Sequence, residues 1–155
     1  MQNNLMALLG RIFVIVFAVM VASLAAGMAI AMGFLGPEWH ILTGDPGERV
    51  VFWGAAFFGA AATGAAGLLP LVILIALAES FKIRGLLANA LGGVALLLLG
   101  YYGSGLARPG YEESIDRPPP AISREAEIAA AAGAVFGLVY WAIAGRKAGR
   151  WRTSA

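Results

Sequence analysis

The sequence predicts an all-α membrane protein in which four transmembrane helices form one bundle, with both termini on the cytoplasmic side. Three observations predict this class. The chain of 155 residues is 60% hydrophobic but only 13% charged, whereas ordinary soluble domains are about 25% charged. Its apolar residues are collected in four runs, each near or above the roughly 20 residues that cross a bilayer as a helix. The 21 glycines recur at a spacing that favours close helix contacts in membranes.

The predicted spans are residues 12–35, 50–78, 85–105 and 127–145, which with their connections form a single transmembrane domain over residues 1–155. We place outside loops at 36–49 and 106–126 and a basic cytoplasmic tail at 146–155. The second span is longer than a bilayer requires, so we expect it to tilt or kink. Pro70 lies inside it and removes one helical hydrogen bond, which predicts a kink there.

The first span has features of a secretory signal, because Arg11 precedes an apolar run with small-residue triplets. A signal peptide has an apolar region of about 7 to 15 residues, and this run continues to residue 35. We therefore expect the segment to remain in the protein as a span. Its removal would leave the orientation of the other three spans unchanged.

Lys and Arg predict the orientation, because the cytoplasmic flanks of membrane proteins are enriched in both. The side with both termini and the loop 79–84 carries Arg11, Lys82, Arg84, Arg146, Lys147, Arg150 and Arg152. The other side carries Arg49, Arg108, Arg117 and Arg124, together with every acidic residue except Glu79. Both termini should therefore be cytoplasmic. The basic tail follows from this topology, so we predict no binding of nucleic acid.

Small residues at four-residue spacing predict the faces on which the helices pack. In lipid, helices associate through close van der Waals contact and interhelical hydrogen bonds. The predicted packing residues are Ser23, Gly27, Gly59, Thr63, Gly67, Gly92, Gly133 and Gly137. Two interpretations stay open: either every stripe is used inside a monomeric bundle, or one or two stripes contact another subunit.

Asn89 is the amide inside a predicted span. We expect it to face another helix or a wet cavity, because an exposed amide is costly in hydrocarbon. An interhelical hydrogen bond is favoured over a role in a substrate pathway. No Asp, Glu, Lys, Arg or His lies deep in a predicted span, which argues against proton-coupled and charge-translocating mechanisms.

The loops and the tail carry weaker signals. His40 stands near Glu38, Asp45 and Glu48 without metal-ligand spacing, so we predict no metal site. The loop 106–126 is acidic and proline-rich, and we interpret it as a solvated connector, with a docking surface as the alternative. The tail is predicted to anchor on anionic lipid headgroups through Arg146, Lys147, Arg150, Trp151 and Arg152.

Composition and motifs predict no enzyme and no cofactor. The chain has no cysteine and one histidine, which excludes disulfides, thiolate metal sites and bis-histidine haem ligation within it. The sequence contains no phosphate-binding glycine loop, no G-x-S-x-G elbow and no H-E-x-x-H helix. We therefore expect no catalytic, cofactor-binding or metal-binding residues.

Two segments resemble parts of small, uncharacterised four-span bacterial inner-membrane proteins. The first is AESFKIRGLLANALGG at residues 78–93, and the second is AAAAGAVFGLVYWAIAGRKAGRW at residues 129–151. The resemblance rests on composition. It implies a four-span architecture in the bacterial inner membrane, and it assigns neither an activity nor functional residues.

The leading functional expectation is a non-catalytic structural or accessory subunit. Such a subunit packs its small-residue helix faces against a larger respiratory, photosynthetic or transport complex, with membrane lipids as its other partners. The second expectation is a homo-oligomeric channel or transporter for a small neutral solute or lipid, with Ser23, Thr63 and Asn89 along the path. Native extraction and mass spectrometry distinguish a complex with other proteins from a symmetric homo-oligomer.

Overall fold

The computed structural model describes residues 2–36, 45–104 and 122–149, with residues 2–5, 7 and 65–68 described by their backbone alone. Its helices are α1 (Gln2–Leu35), α2 (Pro46–Ser80), α3 (Leu86–Gly103) and α4 (Arg124–Ile143), followed by a short 3₁₀ turn, Gly145–Lys147. These ranges contain no strand, so the predicted all-α class is confirmed.

Three of the helices, α1, α3 and α4, are long and apolar enough to cross a membrane. The number rises to four if the two halves of α2, Pro46–Gly64 and Leu69–Ser80, are counted as one bent span. Large apolar side chains cover the outside: Phe13 and Phe58 are each 77% exposed. A surface of this kind is typical of contact with lipid or with a protein partner. The described helices are compatible with a multi-pass membrane protein.

The bend in α2 measures 67° and lies between Gly64 and Leu69. Pro70 follows directly. A proline ring clashes with the carbonyl four positions earlier and leaves it without a helical donor, and that carbonyl belongs to residue 66, inside the bend. Pro70 therefore explains why α2 bends at this position.

The helices follow one another in space in the order α2, α1, α4, α3. Each of the three neighbouring pairs packs closely, whereas α2 and α3 touch little although residues 81–85 alone separate them in sequence. Each close pair is antiparallel, because two contacts in each pair run in opposite directions along the chain. These contacts are Arg11–Glu79 and Gly27–Ala56 for α1 and α2, Arg11–Ala144 and Gly33–Ile128 for α1 and α4, and Asn89–Gly137 and Gly93–Gly133 for α3 and α4. Among the residues that the structure describes, the arrangement is thus open along one side, which we call the α2–α3 seam.

Glycine allows α1 and α2 to approach each other. A Cβ on Gly27 would collide with the Ala56 carbonyl oxygen and would lie 2.7 Å from the Ala60 amide nitrogen. On α2, a Cβ on Gly59 would lie 3.3 Å from the Gly27 Cα. These contacts join backbone to backbone, so no side-chain movement makes room for a methyl group.

Three glycines bring α3 and α4 together in the same way. A Cβ on Gly93 would collide with the Gly133 carbonyl oxygen and would lie 2.8 Å from the Gly137 amide nitrogen. Gly137 in turn faces the Asn89 backbone. Gly92, which the sequence spacing singled out, faces open space instead. The close contact falls on its neighbour because α4 lies on the face of α3 that carries Asn89 and Gly93.

Alanine fills the contact between α1 and α4. Ala18, Ala22 and Ala26 are fully buried at four-residue spacing, and they belong to one apolar cluster with Phe136 and Tyr140 of α4. This stripe lies beside the one predicted from Ser23 and Gly27. Helix α1 therefore has two small-residue faces, one for each neighbour.

Candidate functional site

An ion pair joins α1 to α2. Arg11 Nε donates to Glu79 Oε1 at 3.0 Å, and Arg11 Nη2 contacts the same oxygen. The two side chains are only 9% and 12% exposed. Arg11 Nη2 also donates to the Ala144 carbonyl oxygen at 2.9 Å. One guanidinium group thus connects α1, α2 and the residue that ends α4.

Glu79 also holds the segment that follows α4. Its Oε2 accepts a hydrogen bond from the Gly149 backbone N–H at 2.7 Å. Gly149 has a φ of +69°, and a Cβ there would lie 2.7 Å from Lys82 Cγ. Both carboxylate oxygens therefore have donors, an arrangement that satisfies a largely buried charge and suits a structural role.

Four exposed cations surround this joint, and we call them the basic surface: Lys82, Arg84, Arg146 and Lys147. Glu79 lies at the same end, but Arg11 neutralises its charge. The other acidic residues that the structure describes belong to the first turns of α2 and α4 or precede α2, at the opposite end: Asp45, Glu48, Glu125 and Glu127. Within the described ranges, the basic surface is therefore a region of uncompensated positive charge.

Three contacts make the basic surface one unit. Arg84 Nε donates to the Ala148 carbonyl oxygen at 2.9 Å, and Trp141 Nε1 donates to the Arg84 carbonyl oxygen at 2.8 Å. The Arg146 guanidinium lies 4.5 Å from the centroid of the Trp141 ring, a cation–π distance. The predicted anchor residues Arg146 and Lys147 lie here, whereas Arg150, Trp151 and Arg152 fall outside the described residues.

The α2–α3 seam holds two apolar clefts. The larger one, which we call the Thr63 cleft, has a volume of about 710 Å³. Its walls combine bulky side chains such as Phe34 and Phe58 with small residues, and Glu125 lies at its rim. The small residues are Ala31, Ala55, Gly59, Ala62, Gly100 and Ala129. Since small residues let another backbone approach closely, this wall suits a helix.

The smaller cleft, which we call the Asn89 cleft, has a volume of about 180 Å³. It lies between the second half of α2 and the start of α3, with Phe136 and Tyr140 of α4 as its floor. Ile83, in the loop between α2 and α3, lines it as well. The cleft therefore ends beside two members of the basic surface, because Lys82 and Arg84 flank Ile83 in the chain.

The three predicted pathway residues do not lie in one cleft. Thr63 lines the larger cleft and Asn89 the smaller one, while Ser23 is partly buried on α1 and lines neither. Thr63 Oγ1 donates to the Gly59 carbonyl oxygen at 2.7 Å, and Asn89 Nδ2 donates to the Gly85 carbonyl oxygen at 2.8 Å. Both side chains thus bond within their own helix or its cap. Asn89 lines a cleft, and the interhelical bond expected for it stays a prediction.

Some of the residues singled out in the sequence are not described by the structure. His40 and most of the two predicted outside loops lie outside the described residues, and Gly67 is described by its backbone alone. In the described ranges, no three His, Asp or Glu side chains come together as metal ligands would.

The comparisons with known proteins assign no family. The chain matches no family model, no curated protein and no solved structure.

Proposed function

We propose that this protein is a non-catalytic accessory subunit of a larger membrane complex and that the Thr63 cleft receives a transmembrane helix of its partner. The observation that carries this proposal is the open α2–α3 seam. Within the described part of the chain, helix α1 has a neighbouring helix on two sides, whereas α2 and α3 each lack one along the seam. A partner helix placed there completes the packing of both.

The lining of the cleft supports a helix as its occupant. Ala55 and Ala62 lie on one side of α2, and Gly100 faces them from α3. Short side chains of this kind allow two helix backbones to approach closely, which is the main source of helix association in lipid. Other glycines already form contacts between helices of this chain, namely Gly27, Gly59, Gly93, Gly133 and Gly137.

The proposed topology places four spans in the bacterial inner membrane, with both termini and the basic surface in the cytoplasm. Lys82, Arg84, Arg146 and Lys147 belong together at one end of the helices, which supports a cytoplasmic position for that end. The acidic first turns of α2 and α4 then face the opposite compartment.

The hydrogen bonds of the polar side chains in the helices support a non-catalytic role. Both oxygens of Glu79 accept hydrogen bonds, and Thr63 and Asn89 each donate to a backbone carbonyl. Groups held in this way stabilise helices and joints. General acid–base chemistry instead needs a group in reach of a substrate proton.

Site-specific photocrosslinking in native membranes tests the proposal. A photoreactive residue at Ala62 lies in the Thr63 cleft, whereas the same residue at the exposed neighbour Ala61 does not. We expect one partner protein to be captured in stoichiometric yield from position 62 and not from position 61. Equal capture from both positions, or a second copy of this chain as the product, would contradict the proposal.

A homo-oligomeric channel or transporter for a small neutral solute or lipid is the second candidate. The feature that favours it is the continuity of the seam, since Leu96 lines both clefts. In this case Asn89→Leu should abolish flux through reconstituted vesicles. Flux that survives the substitution removes Asn89 from the path.

A further inference from the structure

We infer that the Asn89 cleft and the basic surface together form a binding site for one anionic phospholipid. The acyl chain lies in the cleft and the phosphate lies at the cations where the cleft ends. This site lies at the opposite end of the seam from the Thr63 cleft and shares only Leu96 with it, so it does not depend on the proposed partner helix.

The cleft provides the apolar half of the site. Its α3 wall extends from Ala88 to Leu96, a length of about 12 Å at the rise of an α-helix. The α2 wall consists mainly of Leu and Ile side chains, and the floor is formed by Phe136 and Tyr140. A cleft of this length and polarity, open along the seam, accommodates part of an acyl chain.

The basic surface provides the polar half. Ile83 lines the cleft, and the cations on either side of it, Lys82 and Arg84, are exposed. Arg146 and Lys147 lie close by, because the bonds from Arg84 to Ala148 and from Trp141 to Arg84 fix both segments together. The N-terminal end of α3, whose first turn contains no acidic residue, adds to the positive field.

The charge of the surroundings determines which headgroup fits. Glu79, which would otherwise attract an amine headgroup, is already paired with Arg11 and bonded to Gly149. The field at the end of the cleft is therefore positive, and a headgroup with a net negative charge is preferred over a zwitterionic one. Each cation near a lipid surface contributes about five-fold in affinity for an anionic lipid.

The test compares phosphatidylglycerol and phosphatidylcholine of equal chain length, titrated onto the full-length protein in detergent and followed by native mass spectrometry. We expect the native protein to bind phosphatidylglycerol at least ten-fold more tightly. The double variant Lys82→Gln/Lys147→Gln removes two charges and keeps the Arg84–Ala148 bond, and at about five-fold per cation it should reduce this preference by about 25-fold. The matched variant Arg124→Gln, at the opposite end, should keep it. A native protein that binds the two lipids equally would overturn the proposal.

A second pair of variants tests the cleft. Gly92 lines the Asn89 cleft and Gly54 does not, and a Cβ meets no atom within 4 Å at either position. Gly92→Leu should therefore fold, fill the cleft and weaken phosphatidylglycerol binding about ten-fold, whereas Gly54→Leu should leave it unchanged. Unchanged binding in Gly92→Leu, or complete displacement of the lipid by an equal concentration of glycerol phosphate, would overturn the composite site.

Discussion

The Glu79 carboxylate of α2 accepts hydrogen bonds from the Arg11 guanidinium of α1 and, through its second oxygen, from the Gly149 backbone. This joint connects the first helix, the second helix and the segment after the fourth. Close glycine contacts join α1 to α2 further along, and others join α3 to α4. The joint and the glycines together hold three helix pairs and leave the α2–α3 seam open.

The stability of the protein should depend strongly on both members of the Arg11–Glu79 pair. Arg11→Met leaves a largely buried carboxylate without its cation, which should lower the free energy of unfolding by about 3 kcal/mol. The double variant Arg11→Met/Glu79→Leu should lose less than the single one, because no charge is left unpaired. Thermal unfolding in detergent, followed by circular dichroism, measures both. Equal losses in the single and double variants would contradict the role of the pair.

Gly92 and Gly93 form a matched pair of neighbouring positions. Gly93→Ala should destabilise the protein by about 1–3 kcal/mol, because its Cβ would press on the α4 backbone. Gly92→Ala should be neutral or stabilising by up to about 1 kcal/mol, since alanine is the better helix former and the space is open. The same unfolding assay separates the two. If Gly92→Ala lowered the free energy of unfolding more than Gly93→Ala, α3 would have to be rotated about its axis from the orientation described above.

Gly149→Ala should release the segment after α4. Its φ of +69° disfavours any residue with a Cβ, and the added methyl group would meet Lys82. We expect the free energy of unfolding to fall by about 1–2 kcal/mol. Proteases should also cleave the segment that follows residue 143 faster than in the native protein. Gly103→Ala serves as the control, because its Cβ meets no atom within 4 Å. Cleavage at the native rate would show that the Glu79 bond does not hold this segment.

Pro70→Ala should straighten α2. The substitution restores a backbone donor for the carbonyl of residue 66 and removes the ring clash. The chain contains no cysteine, so spin labels can be attached at single introduced cysteines in place of the exposed residues Val51 and Phe81. Electron–electron distance measurements should then show a longer separation in the variant. An unchanged distance would assign the 67° bend to tertiary packing.

The apolar runs of the sequence predict the positions of α3 and α4 to within a few residues. The predicted span 85–105 corresponds to α3 (Leu86–Gly103), and 127–145 to α4 (Arg124–Ile143). Helix α1 begins earlier than the span predicted from residue 12, because backbone hydrogen bonding continues through the polar residues near Gln2. Hydropathy identifies the part of a helix that suits a bilayer and does not identify where the helix starts.

The relationships between helices were harder to predict. Spacing showed that α3 has a small-residue face, but the choice between Gly92 and Gly93 depends on the rotation of α3 against α4. Arg11 and Glu79 were placed on one side of the membrane, yet no local signal pairs residues so far apart in the chain. The open seam has no sequence signal either, because the short loop 81–85 by itself favours close contact between α2 and α3.

Native mass spectrometry of the protein extracted with its surrounding membrane tests the proposed docking function most directly. The proposal predicts a complex with a different membrane protein at fixed stoichiometry. Ala62→Trp, which fills the Thr63 cleft, should dissociate that complex, whereas Ala61→Trp, on the exposed neighbour, should leave it intact. A monomer, a homo-oligomer, or a complex that survives Ala62→Trp would contradict it.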